Sequence, residues 1–160
     1  MFFYETKARN RMMRWTPFIT VAAIIEQQGR FLMVEERIGG RIVFNQPAGH
    51  LEQHETLIDA VTREVFEETA HYIEPQALIG AYQYTYPESL KTYIRFCFTG
   101  KVISQNHHQK LDKGIIQALW LSREELVSQP EKLRSPLVLR NIDDYLKGIR
   151  YPLDFIQDIE

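Results

Sequence analysis

Between Gly49 and His71 the chain reads GHLEQHETLIDAVTREVFEETAH, and no other stretch limits the fold so tightly. Five residues separate Gly49 from Glu55, and seven more separate Glu55 from the run Arg63-Glu64-Val65-Phe66-Glu67-Glu68. Thr56 is placed to cap a helix, with Asp59 three residues on as a weaker version of the capping-box acid. Leu57, Ile58, Val61 and Val65 then form the apolar stripe of an amphipathic helix. At about 100° per residue, Glu64 and Glu68 fall beside Leu57 on the wheel and Glu67 lies adjacent. Carboxylates so crowded repel by roughly 0.2–0.5 kcal/mol per pair in water. Beside an apolar margin, where screening is poorer, the repulsion grows. A hard divalent cation reverses its sign, and magnesium takes oxygen ligands while keeping several waters. A Glu-Glu pair alone reads as a solvated acidic face.

The rest of the composition is that of an ordinary globular domain. The 160 residues are 44% hydrophobic and 25% charged, enough to bury a real core. A net charge of −2 gives no global electrostatic case for nucleic acid or anionic membrane. No apolar run approaches the roughly eighteen residues of a membrane span. Lys7, Arg9, Arg11 and Arg14 make the N-terminus basic without an apolar core long enough for a secretory signal. Residues 1–14 are therefore expected to be a frayed, solvated arm ahead of one domain over residues 15–160. Cys97 is the single cysteine, so no internal disulfide forms and a reducing cytoplasm fits. Within Ile94-Arg95-Phe96-Cys97-Phe98 it reads as a buried small hydrophobe in a strand, not as a nucleophile.

Strand signals bracket the helix. Phe18 to Glu26 is rich in Val, Ile and Thr, and Gln28-Gly29 turns the chain into a second strand, Phe31–Val34. Gly39-Gly40 turns it again before Ile42–Phe44, which Pro47 ends; Ala48 to Leu51 reads as a loop entering the helix. Pro75 follows the helix, and Ala77–Tyr86 and Thr92–Ile103 read as strands joined across Pro87–Lys91. Ser104–Lys113 is a polar loop before a strand at Ile115–Leu121. Ser122 and Glu125 have capping-box spacing, and Ser135-Pro136 supplies an N-cap and an N1 proline for a last helix that Gly148 terminates. This order predicts a mixed β-sheet covered on both faces, an α/β (α+β) domain.

The Gly49–Glu68 spacing resembles the signature of the Nudix hydrolases, in which Gly, five residues, Glu, seven residues, Arg-Glu, an aliphatic, any residue and Glu-Glu follow in order. That family cleaves diphosphate linkages on a magnesium-loaded helix. Two positions depart from the pattern. Ala70 stands where Gly is usual and His71 where an aliphatic is usual, so a different helix exit is expected. Asn45 to Glu52, Leu111 to Ile115, Leu119 to Ser122, Leu133 to Val138 and Arg150 to Leu153 are similar to the phosphatase branch called NudJ. Enzymes of that branch release orthophosphate from nucleoside tri- and diphosphates and from hydroxymethylpyrimidine and thiamine pyrophosphates.

The resemblance implies an αβα sandwich with Mg2+, or Mn2+ as a substitute, on Glu64, Glu67 and Glu68, the Gly49 carbonyl completing the shell. It pairs Glu55 with Arg63. A general base is also required, and Glu64 and Asp112 are both candidates. Arg41 and Arg134 are candidates for phosphate contacts, and Phe44, Tyr84 or Tyr86 for stacking on a ring. His50, His54 and His71 flank the acidic run without zinc spacing. The implied partner is a small phosphorylated substrate, with neither nucleic acid nor membrane, for a cytoplasmic monomer or homodimer. Two alternatives stand beside this reading. One is a pyrophosphohydrolase of the ADP-ribose or dinucleotide type. The other is a Nudix-shaped nucleotide sensor, which would be expected to lose the Glu-Glu or Arg-Glu pair that this chain keeps.

Overall fold

Strand β1 (Phe18–Ile24) is the axis of the molecule, and its apolar run follows from being covered on both faces. Val21 and Ala23 pack in one cluster with Ala60, Val61 and Val65 of helix α1 (Leu57–Thr69). Ala22 and Ile24 point the other way, toward Val138 and Ile142 of a later helix at Leu137–Leu146. The computed structural model describes residues 15–159, and the basic arm expected over residues 1–14 lies outside them.

Two four-stranded sheets share the layer between the helices. In the first, β1 pairs antiparallel with β5 (Ala48–His50) and parallel with β7 (Thr92–Gln105), which pairs antiparallel with β6 (His71–Thr85). The second is built on β3 (Arg30–Ile38), which pairs with β8 (Ile115–Ser122) along one edge. Its other edge carries β2 (Glu26–Gln27) and then β4 (Arg41–Asn45). The expected αβα sandwich is therefore present, with its strands divided between two sheets; the mixed pairing lies in the first. Helix α2 (Arg123–Val127) and α3 (Leu137–Leu146) complete the second helical layer.

Local signals account for most boundaries. Both capping boxes form, Thr56 with Asp59 and Ser122 with Glu125. Strands β3 and β7 run beyond their expected ends, to Ile38 and Gln105, and three other boundaries differ in kind. Ala48–His50 is a short strand rather than a loop, because its backbone pairs with Thr20–Ala22. Pro75 lies inside β6, where its missing N–H falls at a break in register with β7. The last helix begins one residue later than predicted: Pro136 occupies the N-cap position, and the Ser135 hydroxyl accepts from the Leu137 N–H at 3.3 Å. Cys97 is fully buried, as predicted.

Candidate active site

Helix α1 is fixed at both ends. At its start the Asp59 N–H donates to Thr56 Oγ1 at 3.1 Å, and the Thr56 N–H returns a bond to Asp59 Oδ2 at 3.3 Å. At its end Ala70 takes the left-handed conformation, φ 61° and ψ 15°, with its N–H donating to the Phe66 carbonyl at 2.8 Å. The expectation that Ala70 changes the exit is thus overturned. The chain leaves by the turn that glycine would make, and an alanine carries the steric cost of about 1–2 kcal/mol.

Arg63 ties the preceding loop to this helix. Its Nε and Nη2 donate to the two Glu55 oxygens at 3.0 and 2.7 Å, and Nη2 also donates to the His50 carbonyl at 3.0 Å. Nη1 donates to Glu64 Oε1 at 2.7 Å and Glu67 Oε2 at 3.1 Å. The fork geometry of a guanidinium is what allows one side chain to hold three carboxylates. Glu55 also accepts from the Glu52 N–H at 2.7 Å, and the Arg63 hydrogen bonds hold its carboxyl below the ordinary carboxylate range.

Glu64 and Glu68 turn inward and are only 8% and 9% exposed. Burial raises the pKa of Glu64 against the lowering effect of Arg63, with Glu67 and Asp112 adding repulsion. Glu68 is pushed up to about 9 by burial and by Glu64, Glu36 and Asp112, although the Ala48 N–H donates to it at 2.9 Å. Gly49 closes this cradle from β5, where a Cβ atom would overlap the Glu64 carboxylate. The Asp112 N–H donates to the Glu67 carbonyl at 3.0 Å, so the loop before β8 docks on the C-terminal half of α1. Asp112 is exposed there beside the carboxylates.

The donor set suits a hard divalent cation, since it is all oxygen, crowded and undercompensated by one arginine. Among the described residues no three acidic, histidine or cysteine side chains already converge as a closed cage. Arg63 draws Glu64 and Glu67 to itself, and Glu68 leans on β5. Magnesium needs no such cage, because it is bound by one or two carboxylates and retains water.

Beyond Gly49 a cleft of about 720 Å³ opens, lined by Arg41, Tyr84, Tyr86, Tyr93, Lys91 and Arg134 among others. The three tyrosines form a wall of edge-to-face contacts, with centroids 4.9 Å apart for Tyr84–Tyr86 and 5.4 Å for Tyr86–Tyr93. Arg134 is brought across from the far end of the chain by a backbone bond from its N–H to the Phe44 carbonyl at 2.9 Å, and its guanidinium lies 5.7 Å over the Tyr86 ring. Arg41 also lines the cleft, donating to the Glu131 carbonyl at 3.2 Å. Arg41, Tyr84 and Arg134, singled out separately from the sequence, thus meet in one cleft.

Phe44 does not join them. It is 4% exposed and packs with Phe31, Met33 and Val138, because its side of β4 faces the second helical layer; stacking on a substrate ring is corrected to core packing. His71 is likewise buried, its Nδ1 2.8 Å from the Thr69 carbonyl. The sequence reading missed Thr20, Glu36, Tyr93 and Arg95, which line a smaller chamber between Gly49 and the cleft. One signal was available: Arg95 interrupts the apolar run Ile94-Arg95-Phe96-Cys97-Phe98.

The chain is similar to known proteins over most of its length. The NUDIX domain profile matches residues 16–141. The chain is 42% identical over 142 residues to Phosphatase NudJ of Escherichia coli strain K12, covering 89% of this chain and 92% of that protein. A solved structure of a NUDIX hydrolase from Nitrosomonas europaea superposes with a TM-score of 0.88 at 47% identity, over 90% of this chain and 98% of the other. A UDP-X diphosphatase, at 18% identity and a TM-score of 0.70 over 90% of this chain and 70% of that one, shares the fold.

Proposed function

The chain belongs to the Nudix hydrolase family, and within it we propose a magnesium-dependent phosphatase that removes terminal orthophosphate from small organic di- and triphosphates. That the protein is a hydrolase of phosphate anhydrides follows from the family. The finer reading is carried by one observation: Ala48 and Gly49, which abut the buried carboxylates, line a chamber that shares Tyr86, Tyr93 and Arg134 with a cleft also lined by Tyr84 and Arg41. The likeness to a phosphatase over nearly the whole length supports the branch. Nucleoside triphosphates and diphosphates, with thiamine-type pyrophosphates, are the substrate classes of this reading.

Glu64, Glu67 and Glu68 are the proposed ligands of Mg2+, with Mn2+ as a substitute and the Gly49 carbonyl as a further oxygen. When bound, such an ion neutralises phosphate oxygens and lowers the pKa of a water positioned for in-line attack. Arg63 orients the carboxylates and Glu55 orients Arg63, a two-step support that keeps the ligand side chains from collapsing into solvent. Asp112 is the favoured base. Its carboxylate has no hydrogen-bond partner among the described residues, whereas Glu64 is held by Arg63. The tyrosine wall receives the organic group, and Arg41 and Arg134 face its phosphates.

The single domain, proposed over residues 15–160, has no helix among its described residues long and apolar enough to cross a membrane. With a lone buried thiol it suits a reducing cytoplasm, as a monomer or homodimer. Phosphorus NMR on a nucleoside triphosphate with purified protein and magnesium tests the reading. Orthophosphate and the nucleoside diphosphate are expected. Pyrophosphate and the monophosphate would assign the chain to a pyrophosphohydrolase branch.

A further inference from the structure

Between the carboxylate cradle and the wide cleft lies a chamber of about 190 Å³. Arg95 enters it from β7, where its backbone is held between Thr20 of β1 and Tyr82 of β6. The side chain is only 7% exposed, yet its Nε and Nη1 have no hydrogen-bond partner among the described residues. Of eight buried side-chain polar atoms without such a partner, five belong to Thr20, Glu36, Asn45 and Arg95, all lining this chamber. The unmet hydrogen-bonding capacity of the core is therefore concentrated in one place. A guanidinium does not shed its charge in proteins, and an unpaired buried charge is strongly destabilising. Arg134 reaches the same chamber and has no ion pair among the described residues. Glu36 is its one acidic side chain, so Arg95 and Arg134 against Glu36 leave a formal charge of +2 − 1 = +1.

We propose that this chamber is an oxyanion subsite in which Arg95, together with Arg134, binds the terminal phosphoryl group of the substrate beside the carboxylate cradle. The assignment rests on the phosphatase reading above and adds to it a residue and a place. A tetrahedral oxyanion offers an acceptor to an unpartnered N–H of the Arg95 guanidinium, a charge-assisted hydrogen bond of the stronger kind. Its negative charge also offsets the excess positive charge. Glu36 moderates that charge, so that the phosphate product leaves. The acceptors on Asn45 and Thr20 are then met by water carried with the anion.

Inorganic phosphate is the probe, titrated calorimetrically into the magnesium-loaded protein. Glu36→Gln is expected to tighten phosphate binding by about two- to tenfold, since a like charge near the anion is removed. Arg95→Met in the same Glu36→Gln background removes both opposed charges of the chamber together and so protects folding. It is expected to weaken binding by about ten- to a hundredfold relative to Glu36→Gln alone, the worth of charge-assisted hydrogen bonds. Arg95→Lys, which keeps the charge but loses the planar guanidinium, falls between. A folded double variant that binds phosphate within about twofold of Glu36→Gln, or a Glu36→Gln protein no tighter than wild type, overturns the subsite. The chamber would then hold a water-bridged internal ion pair. A pyrophosphate product in the NMR experiment would end the phosphatase reading without altering this titration, so the two failures are distinguishable.

Discussion

The two sides of the site are built in opposite ways. On the acidic side the side chains are spent on one another: Arg63 holds Glu55, Glu64 and Glu67, and Ala48 holds Glu68. All of these lie within residues 48–68, on one helix and the strand and loop that precede it. On the cleft side the chemistry comes from β3, β4, β6, β7 and the turn before α3, and its polar atoms are largely unspent. A region that must keep four repelling carboxylates in place needs internal partners. A region proposed to accept a ligand needs open ones. Substitutions on the first side should therefore act on the chemical step and those on the second on binding.

Gly49→Ala should have the largest effect, because the added Cβ would occupy the space of the Glu64 carboxylate. Turnover should fall by orders of magnitude while circular dichroism stays native. A folded variant with wild-type kcat would show that the cradle does not depend on this close approach. Asp112→Asn should lower kcat by about 10²- to 10⁴-fold, the usual worth of a general base, with Tm nearly unmoved because its anchoring bond to Glu67 is made by the backbone. An unchanged rate would pass the role to Glu64. Across the site, Tyr86→Ala should raise KM for a nucleotide by about tenfold, in keeping with roughly 1–3 kcal/mol for a stacked base, and leave kcat within a few-fold. If kcat falls instead, the cleft and the acidic side are not separable.

This contrast also explains what could be read in the sequence. Thr56 with Asp59 and Ser122 with Glu125 were legible because each depends on a few neighbouring residues, whereas Arg63 with Glu55 came only through the family resemblance. Glu36 and Arg95 were not, because strand registers and not spacing in the chain bring them into one chamber. Phe44 was misassigned for the same reason: an aromatic in a short strand faces core or cleft according to its register, and Val34–Asn45 pairing turns it inward. Arg134 reached the cleft through a single backbone bond to Phe44, a contact that no local pattern announces. Ala70 shows the converse, a local rule overridden because the chain must pass directly from α1 into β6.

The smallest effect follows from that override. Ala70→Gly should stabilise the fold by about 0.5–1 kcal/mol, the left-handed penalty of alanine less the greater unfolded-state freedom of glycine. It should leave kcat alone. Chemical denaturation reads it directly, and a destabilised variant would mean that the buried methyl packs well enough to outweigh its strain.

The central claim is that the buried carboxylates of α1 are held for a divalent cation, and melting wild type beside Glu68→Gln tests it. Glu68 has a folded pKa near 9 against an ordinary 4.5, so the folded state binds the extra proton. In chelator, wild-type stability should therefore be intact below about pH 4.5 and be lost as pH rises toward 9, while Glu68→Gln lacks this loss. The two proteins should melt together near pH 5, with the variant more stable at pH 8. Saturating magnesium at pH 8 should then raise the wild-type Tm and raise that of Glu68→Gln far less, because binding draws on the ionised carboxylate. Parallel melting across this pH range, with equal magnesium shifts in both proteins, would contradict the account.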